Sequence, residues 1–303
     1  WSHAVAGLER GYAERLDHVT PIVVDVDALD AMVAEQTAVD RRAALDDWVT
    51  ARLQAEGHFA LNELVHRQIV GQTHDMLRHP VNATRVYVGY AHADGPSDLG
   101  LQAINLITTA HPFQHPDRSE ESDATRGLPF SNIQDPAVWQ RYVTIHELEH
   151  AVDNDRTAPI AKMGQRLLGA EPRFDARDAE ARERLRVNDD AYRDEAYADV
   201  KAAISAVIDT GDTGIAQLIS DQRALLIAHA VSTGDGPIGF SHFASPAIDR
   251  MIADVDSGKV AFNGYAPTEQ RTRAEDDALH AVAERYVAQA YADYQQVDLG
   301  RTM

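Results

Sequence analysis

His146-Glu147-Leu148-Glu149-His150 sets two imidazoles four residues apart, with a carboxylate directly after the first. On a helix, residues i and i+4 lie one above the other, so both rings can converge on one ion. Neutral imidazole suits Zn²⁺, and catalytic zinc usually takes three protein ligands and a water. Zinc lowers the pKa of that water to about 7, and a neighbouring carboxylate can complete its deprotonation. The spacing therefore predicts a zinc site with His146 and His150 as ligands and Glu147 as general base.

The residues after the motif narrow the choice of third ligand. A metzincin would place a Gly three residues after the second His and a further His three beyond it. Asp153 and Arg156 stand there instead, which excludes that branch. A carboxylate from a later helix remains, and Glu195-Ala-Tyr-Ala-Asp199 is the best candidate, with Asp189, Asp190 and Asp194 competing. Here Glu195 binds the metal and Asp199, one turn on, accepts the second ring N–H of His146, fixing its tautomer. Ala196 and Ala198 are small enough for a close helix approach. Asp153, one turn beyond His150, supports a ligand or extends the polar face of its helix.

HELEHAVDND followed by EAYAD resembles the Glu-zincin group of zinc metallopeptidases, and is most similar to the catalytic domain of the anthrax lethal factor group. The similarity covers residues 135–205. It implies peptide-bond hydrolysis, Zn²⁺ as cofactor, a protein or peptide substrate and Glu195 as third ligand. Those relatives carry an oxyanion-stabilising Tyr about two turns before the ligand Glu; the same offset here is Asn188, with Tyr192 nearby at another helical angle. A donor is still needed. His242, in Gly239-Phe-Ser-His-Phe after a Gly-rich loop, and His229, on an apolar helix, are the alternatives; His242 is the catalytic candidate. In Glu-zincins a strand before the active-site helix forms the cleft rim. Leu101–Ala110 holds that place, so it is expected to bind peptide by strand addition, with His111–Asn132 bordering the cleft. The alternatives are a peptide- or partner-binding protein with a structural or inactive zinc site, and a zinc hydrolase acting on a non-peptide amide.

The elements that must hold these residues are also readable. Asp135 can cap the HELEH helix and Pro136 suits its first position, where a missing N–H costs nothing. Val138, Ile145, Leu148 and Val152 form an apolar stripe, with His146, His150 and Asp153 on another face. Val19–Val26 is β-like, with a helix after it capped by Asp27, and Val49–Leu77 repeats apolar residues at helical spacing. Thr84–His92 and Leu101–Ala110 are β-branched and aromatic strand candidates. Almost everything after the HELEH helix reads as helix. The fold expected is α+β and mainly helical, with a small sheet packed on the HELEH helix and a helical C-terminal subdomain. Residues 1–80 form a mainly helical N-terminal region and 81–303 the catalytic domain.

Composition sets the outer limits. The net charge is -20, with 32 Asp and 16 Glu against 25 Arg and 3 Lys. No basic stripe exists to contact phosphates, so nucleic acid is not an expected partner. No run approaches the roughly 18 apolar residues of a membrane span, so membrane insertion is not expected either. The absence of Cys rules out disulfides, thiolate zinc ligands and a Cys nucleophile. The acidic balance fits a high-GC genome or a salt-adapted or exported surface. A chain opening on Trp1 is expected to have had something removed ahead of it, a signal peptide being one choice. A secreted or periplasmic location is expected, with the cytoplasm as the alternative.

Overall fold

The computed structural model describes residues 2–17, 19–34, 36–55, 63–78, 83–92, 99–109, 136–157, 178–233 and 242–299. The chain is a mainly helical α+β protein, as its periodicities predict, and divides into two compact units. The first comprises residues 1–122 and 134–171, the second 123–133 and 172–303.

In the first unit, helix α1 (Ser2–Ala13) leads into strand β1 (Val19–Asp25) and three helices, α2 (Val26–Val33), α3 (Ala38–Ala55) and α4 (Glu63–Arg78). A hairpin of β2 (Ala83–His92) and β3 (Leu99–Thr109) follows, then α5 (Pro136–Thr157), which carries the HELEH motif. The sheet has the order β1-β3-β2. β3 pairs in parallel with β1, placing Ile22 opposite Leu106, and antiparallel with β2, placing Val86 opposite Asn105.

Strand alternation sorts the side chains onto two faces. Ile22, Val24, Ile104 and Leu106 join the buried core of Leu29, Leu45, Val49, Ile69 and Met76 from α2–α4. Val19, Val23, Ala103 and Ile107 have the opposite parity and are also buried. α1 packs on β1, and α5 packs on all three strands. The helix of HELEH therefore rests on a sheet that is itself backed by helices.

Two details depart from the sequence expectation. The helix after β1 is capped by Asp25, not Asp27: Asp25 is extended, and its carboxylate accepts the Ala28 N–H at 3.0 Å. Asp27 instead lies inside the first turn, where a negative charge meets the positive end of the helix dipole. β1 also contains Pro21, tolerated because β1 is an edge strand. Pro21 and Val23 direct their nitrogens to the same side, and the Val23 N–H leaves the sheet to reach Glu9 Oε1 of α1 at 3.0 Å. A proline at 21 thus forfeits no ladder bond, and α1 occupies the edge beside it.

The second unit is built on α6 (Asp178–Thr210), against which α7 (Gly214–Thr233), α8 (Ser245–Asp256) and α9 (Arg273–Leu299) pack, with a 3₁₀ turn at Thr268–Gln270. Tyr192, Ala196, Val200, Ala203, Ile204, Ile219, Ile248, Met251, Leu279 and Tyr286 fill its core. α6 stops where Gly211 adopts φ 77°, a conformation glycine takes without steric cost, and its N–H returns to Val207 O at 2.9 Å.

Candidate metal centre

α5 begins at Pro136, and its middle is buried on nearly every side. Ile145, Leu148 and Val152 are buried as the apolar stripe requires, but so are Gln140, Thr144, His146, Glu147 and Glu149. The expected division into one core face and one polar face does not describe this helix, because polar neighbours meet its polar side. Thr144 returns its hydroxyl to Gln140 O at 2.9 Å, and Glu149 accepts the Tyr12 hydroxyl at 2.5 Å.

His146 and His150 lie one turn apart with ring centroids 4.9 Å from each other and planes at 89°. Two nitrogens bound to one zinc at about 2.0–2.1 Å each must lie within about 4 Å of one another. Rings whose centroids are 4.9 Å apart can turn one nitrogen each towards a common ion. Two imidazoles on one helix suit zinc better than a hard oxygen-seeking cation. Glu147 is buried, with 7% of its surface exposed. Asp153 is half-buried on the same helix.

The second unit brings together the other candidates. Glu195 and Asp199 stand one turn apart on α6, and His242 lies in the turn before α8. His242 Nδ1 is 3.3 Å from Glu195 Oε2 and 3.8 Å from Asp199 Oδ2. Arg223 of α7 grips Asp199 with both ends of its fork, Nε to Oδ2 and Nη2 to Oδ1, each at 2.8 Å. The side chain of Asp199 is fully buried, whereas that of Glu195 is 26% exposed. Asp199 is therefore paired with a cation inside its own unit, and Glu195 carries the more exposed of the two carboxylates. No protein-family model, curated protein or solved structure matches this chain. The Glu-zincin resemblance accordingly rests on the two sequence segments HELEHAVDND and EAYAD alone.

The remaining candidates are placed as follows. Tyr192 is buried and packs at a tilt on Tyr291 of α9, ring centroids 5.9 Å apart. Asn188 and His229 lie within α6 and α7, but their side chains fall outside the described residues, as does the whole of His111–Asn132. The strand expected to bind peptide is differently placed. β3 is the central strand, hydrogen-bonded on one side to β1 and on the other to β2. Its backbone groups are consumed by the sheet, so strand addition to Leu101–Ala110 is ruled out. β2 is the remaining edge, the β1 edge being met by α1 through Glu9.

Arg223 did not emerge from the motif search. No local signal marks it: the two residues after it, Ala224 and Leu225, are exposed, and its partner Asp199 lies 24 residues earlier in the chain. Tyr12 gave no signal either, because one buried tyrosine in an N-terminal helix looks like core.

Proposed function

We propose that this protein is a zinc metallopeptidase that holds its metal with His146, His150 and Glu195. The observation that carries the proposal is the His146–His150 pair, stacked edge to face at 4.9 Å on a buried helix with Glu147 between them. Further support comes from the second unit, where Asp199 is neutralised by Arg223 and Glu195 keeps a partly exposed carboxylate beside His242.

Bound zinc would supply an acidified water and polarise the carbonyl of the scissile bond. Glu147 takes the proton that the water releases as its oxygen attacks the carbonyl carbon. The same carboxyl returns that proton to the amide nitrogen as the C–N bond breaks, so protons balance across the step. His242 is the proposed donor to the carbonyl oxygen as it gains negative charge. Its Nδ1 faces Glu195 and Asp199, which orients the ring, and Nε2 is the nitrogen assigned to the oxyanion. β2, as the sheet edge away from β1, is the strand assigned to pair with an extended substrate.

Elemental analysis of the purified protein and of three variants tests the ligand set. One zinc per chain is expected in the wild type, and none after dialysis in His146→Ala, His150→Ala or Glu195→Ala. Zinc retained by Glu195→Ala would remove Glu195 from the set. Zinc bound without cleavage of any peptide would favour a binding protein with a structural site.

A further inference from the structure

A carboxylate lies inside the HELEH motif itself and plays no part in the chemistry above. Glu149 stands next to His150 and is fully buried. A buried carboxylate is costly where an apolar residue of similar volume would fill the space at no electrostatic cost. Its partner comes from 137 residues away: the Tyr12 hydroxyl donates to Glu149 Oε1 at 2.5 Å, and Tyr12 is fully buried too. Tyr12 is in turn fixed by Arg15, whose guanidinium lies over the ring 3.9 Å from its centre while Arg15 Nε bonds Gly11 O at 3.0 Å. A second tie follows within one turn of chain, where the Asp17 N–H donates to Asp155 Oδ1 at 3.1 Å. The end of α1 and the segment that follows it are therefore bound to α5 at two of its buried acidic side chains, Glu149 and Asp155.

Apolar contacts between a helix and a sheet tolerate small rotations and slides, whereas a short charge-assisted hydrogen bond does not. Glu149 points from α5 about 60° around the helix axis from His146, by the roughly 100° turn per residue of an α-helix. Holding Glu149 fixes the rotation of α5 and with it the direction of both imidazoles. We propose that Tyr12 is a positioning residue of the metal site, acting through Glu149 to hold His146 and His150 at the angle from which both reach one ion. The inference rests on the zinc reading above and extends it to the N-terminal helix.

The test is zinc affinity, measured by chelator competition well below the melting temperature. Tyr12→Phe removes one oxygen and is expected to weaken zinc binding about 10-fold, the lower end of what outer partners of metal ligands contribute. In a Glu149→Met background the same change should alter affinity by less than about 2-fold, because the hydroxyl has lost its acceptor. Leu45→Ala, in the core on the far side of the sheet, controls for stability alone: it lowers the melting temperature and leaves zinc affinity unchanged. Tyr12→Phe folded and binding zinc as tightly as wild type would overturn the proposal, and so would an equal loss in the Glu149→Met background. Should Tyr12→Phe fail to fold, Glu149→Met carries the test: an affinity loss of about 10-fold supports the proposal and wild-type affinity refutes it. A wild-type protein that binds no zinc at all refutes the ligand assignment itself, an outcome distinct from either.

Discussion

Glu195 and Asp199 differ by one methylene and one helical turn, yet their surroundings give them different work. Asp199 is fully buried and held by both ends of Arg223, so its charge is matched within its own unit. Removing the cation alone takes both charge-assisted bonds from that buried carboxylate. Arg223→Met should therefore cost about 3 kcal/mol of stability in urea unfolding, the lower end for breaking a buried pair from one side. On the proposed reading His242 is the donor to the oxyanion and not a metal ligand, so His242→Ala should keep zinc and lose about 100-fold in kcat. The placement of the HELEH residues on one helix with their two imidazoles adjacent was legible from their spacing. Arg223 and Glu149 were not, because their meaning lies in partners 24 and 137 residues away. Local spacing carries no trace of such pairings.

The long helix α6 carries two polar stripes. One holds Glu195 and Asp199; the other repeats every fourth residue through Tyr197, Lys201, Ser205 and Asp209, and meets α9 and the 3₁₀ turn. Lys201 bonds Asp276 at 2.8 Å, Arg271 bonds Ser205 at 3.1 Å, and Asp209 accepts both the N–H and the hydroxyl of Thr268. Lys201 and Asp276 are both buried. This second stripe fixes the rotation of α6 and so the direction of Glu195. Lys201→Met should destabilise by about 3 kcal/mol, again by leaving a buried carboxylate without its nearest cation. α9 begins with a capping box: the Thr272 N–H and hydroxyl donate to Glu275 Oε2 at 2.9 and 2.7 Å, and the Glu275 N–H returns to the Thr272 hydroxyl at 3.3 Å. Thr272→Ala should cost about 1 kcal/mol. The Thr272 hydroxyl, then the backbone N–H groups of Thr272 and Ala266, hold the Glu275 carboxyl below its ordinary value of 4.5. A depressed folded-state pKa means its contribution is complete above that ordinary value and fades as pH falls through the folded one. The stability difference between wild type and Glu275→Gln should accordingly be present at pH 7 and shrink on acidification. Helix existence was readable from periodicity, while the cap at Asp25 was missed by two residues because Val26 reads equally well as strand or helix.

On the scale of the whole molecule, the mainly helical α+β class followed from two β-branched runs set among long helical periodicities. The sheet order did not. β2 and β3 form a local hairpin, but β1 joins β3 in parallel after a crossover of three helices, and no turn signal marks a pairing made that far along the chain. That one non-local pairing moves Leu101–Ala110 from the rim to the middle of the sheet and leaves β2 as the other edge among the described strands. Metal binding to the folded chain alone also raises its stability by mass action. Zinc at about 1,000 times its Kd should add about 4 kcal/mol, lost on dialysis against a chelator and regained on adding zinc. The central claim is peptide-bond hydrolysis with Glu147 as base. Its most direct measurement is cleavage of a broad peptide library by the zinc-loaded wild type and by zinc-loaded Glu147→Gln, read by mass spectrometry. Cleavage by the wild type, with a loss of at least about 100-fold in Glu147→Gln at equal zinc content, is the result expected. A library left intact by the zinc-loaded wild type, or cleaved equally by both proteins, would contradict it.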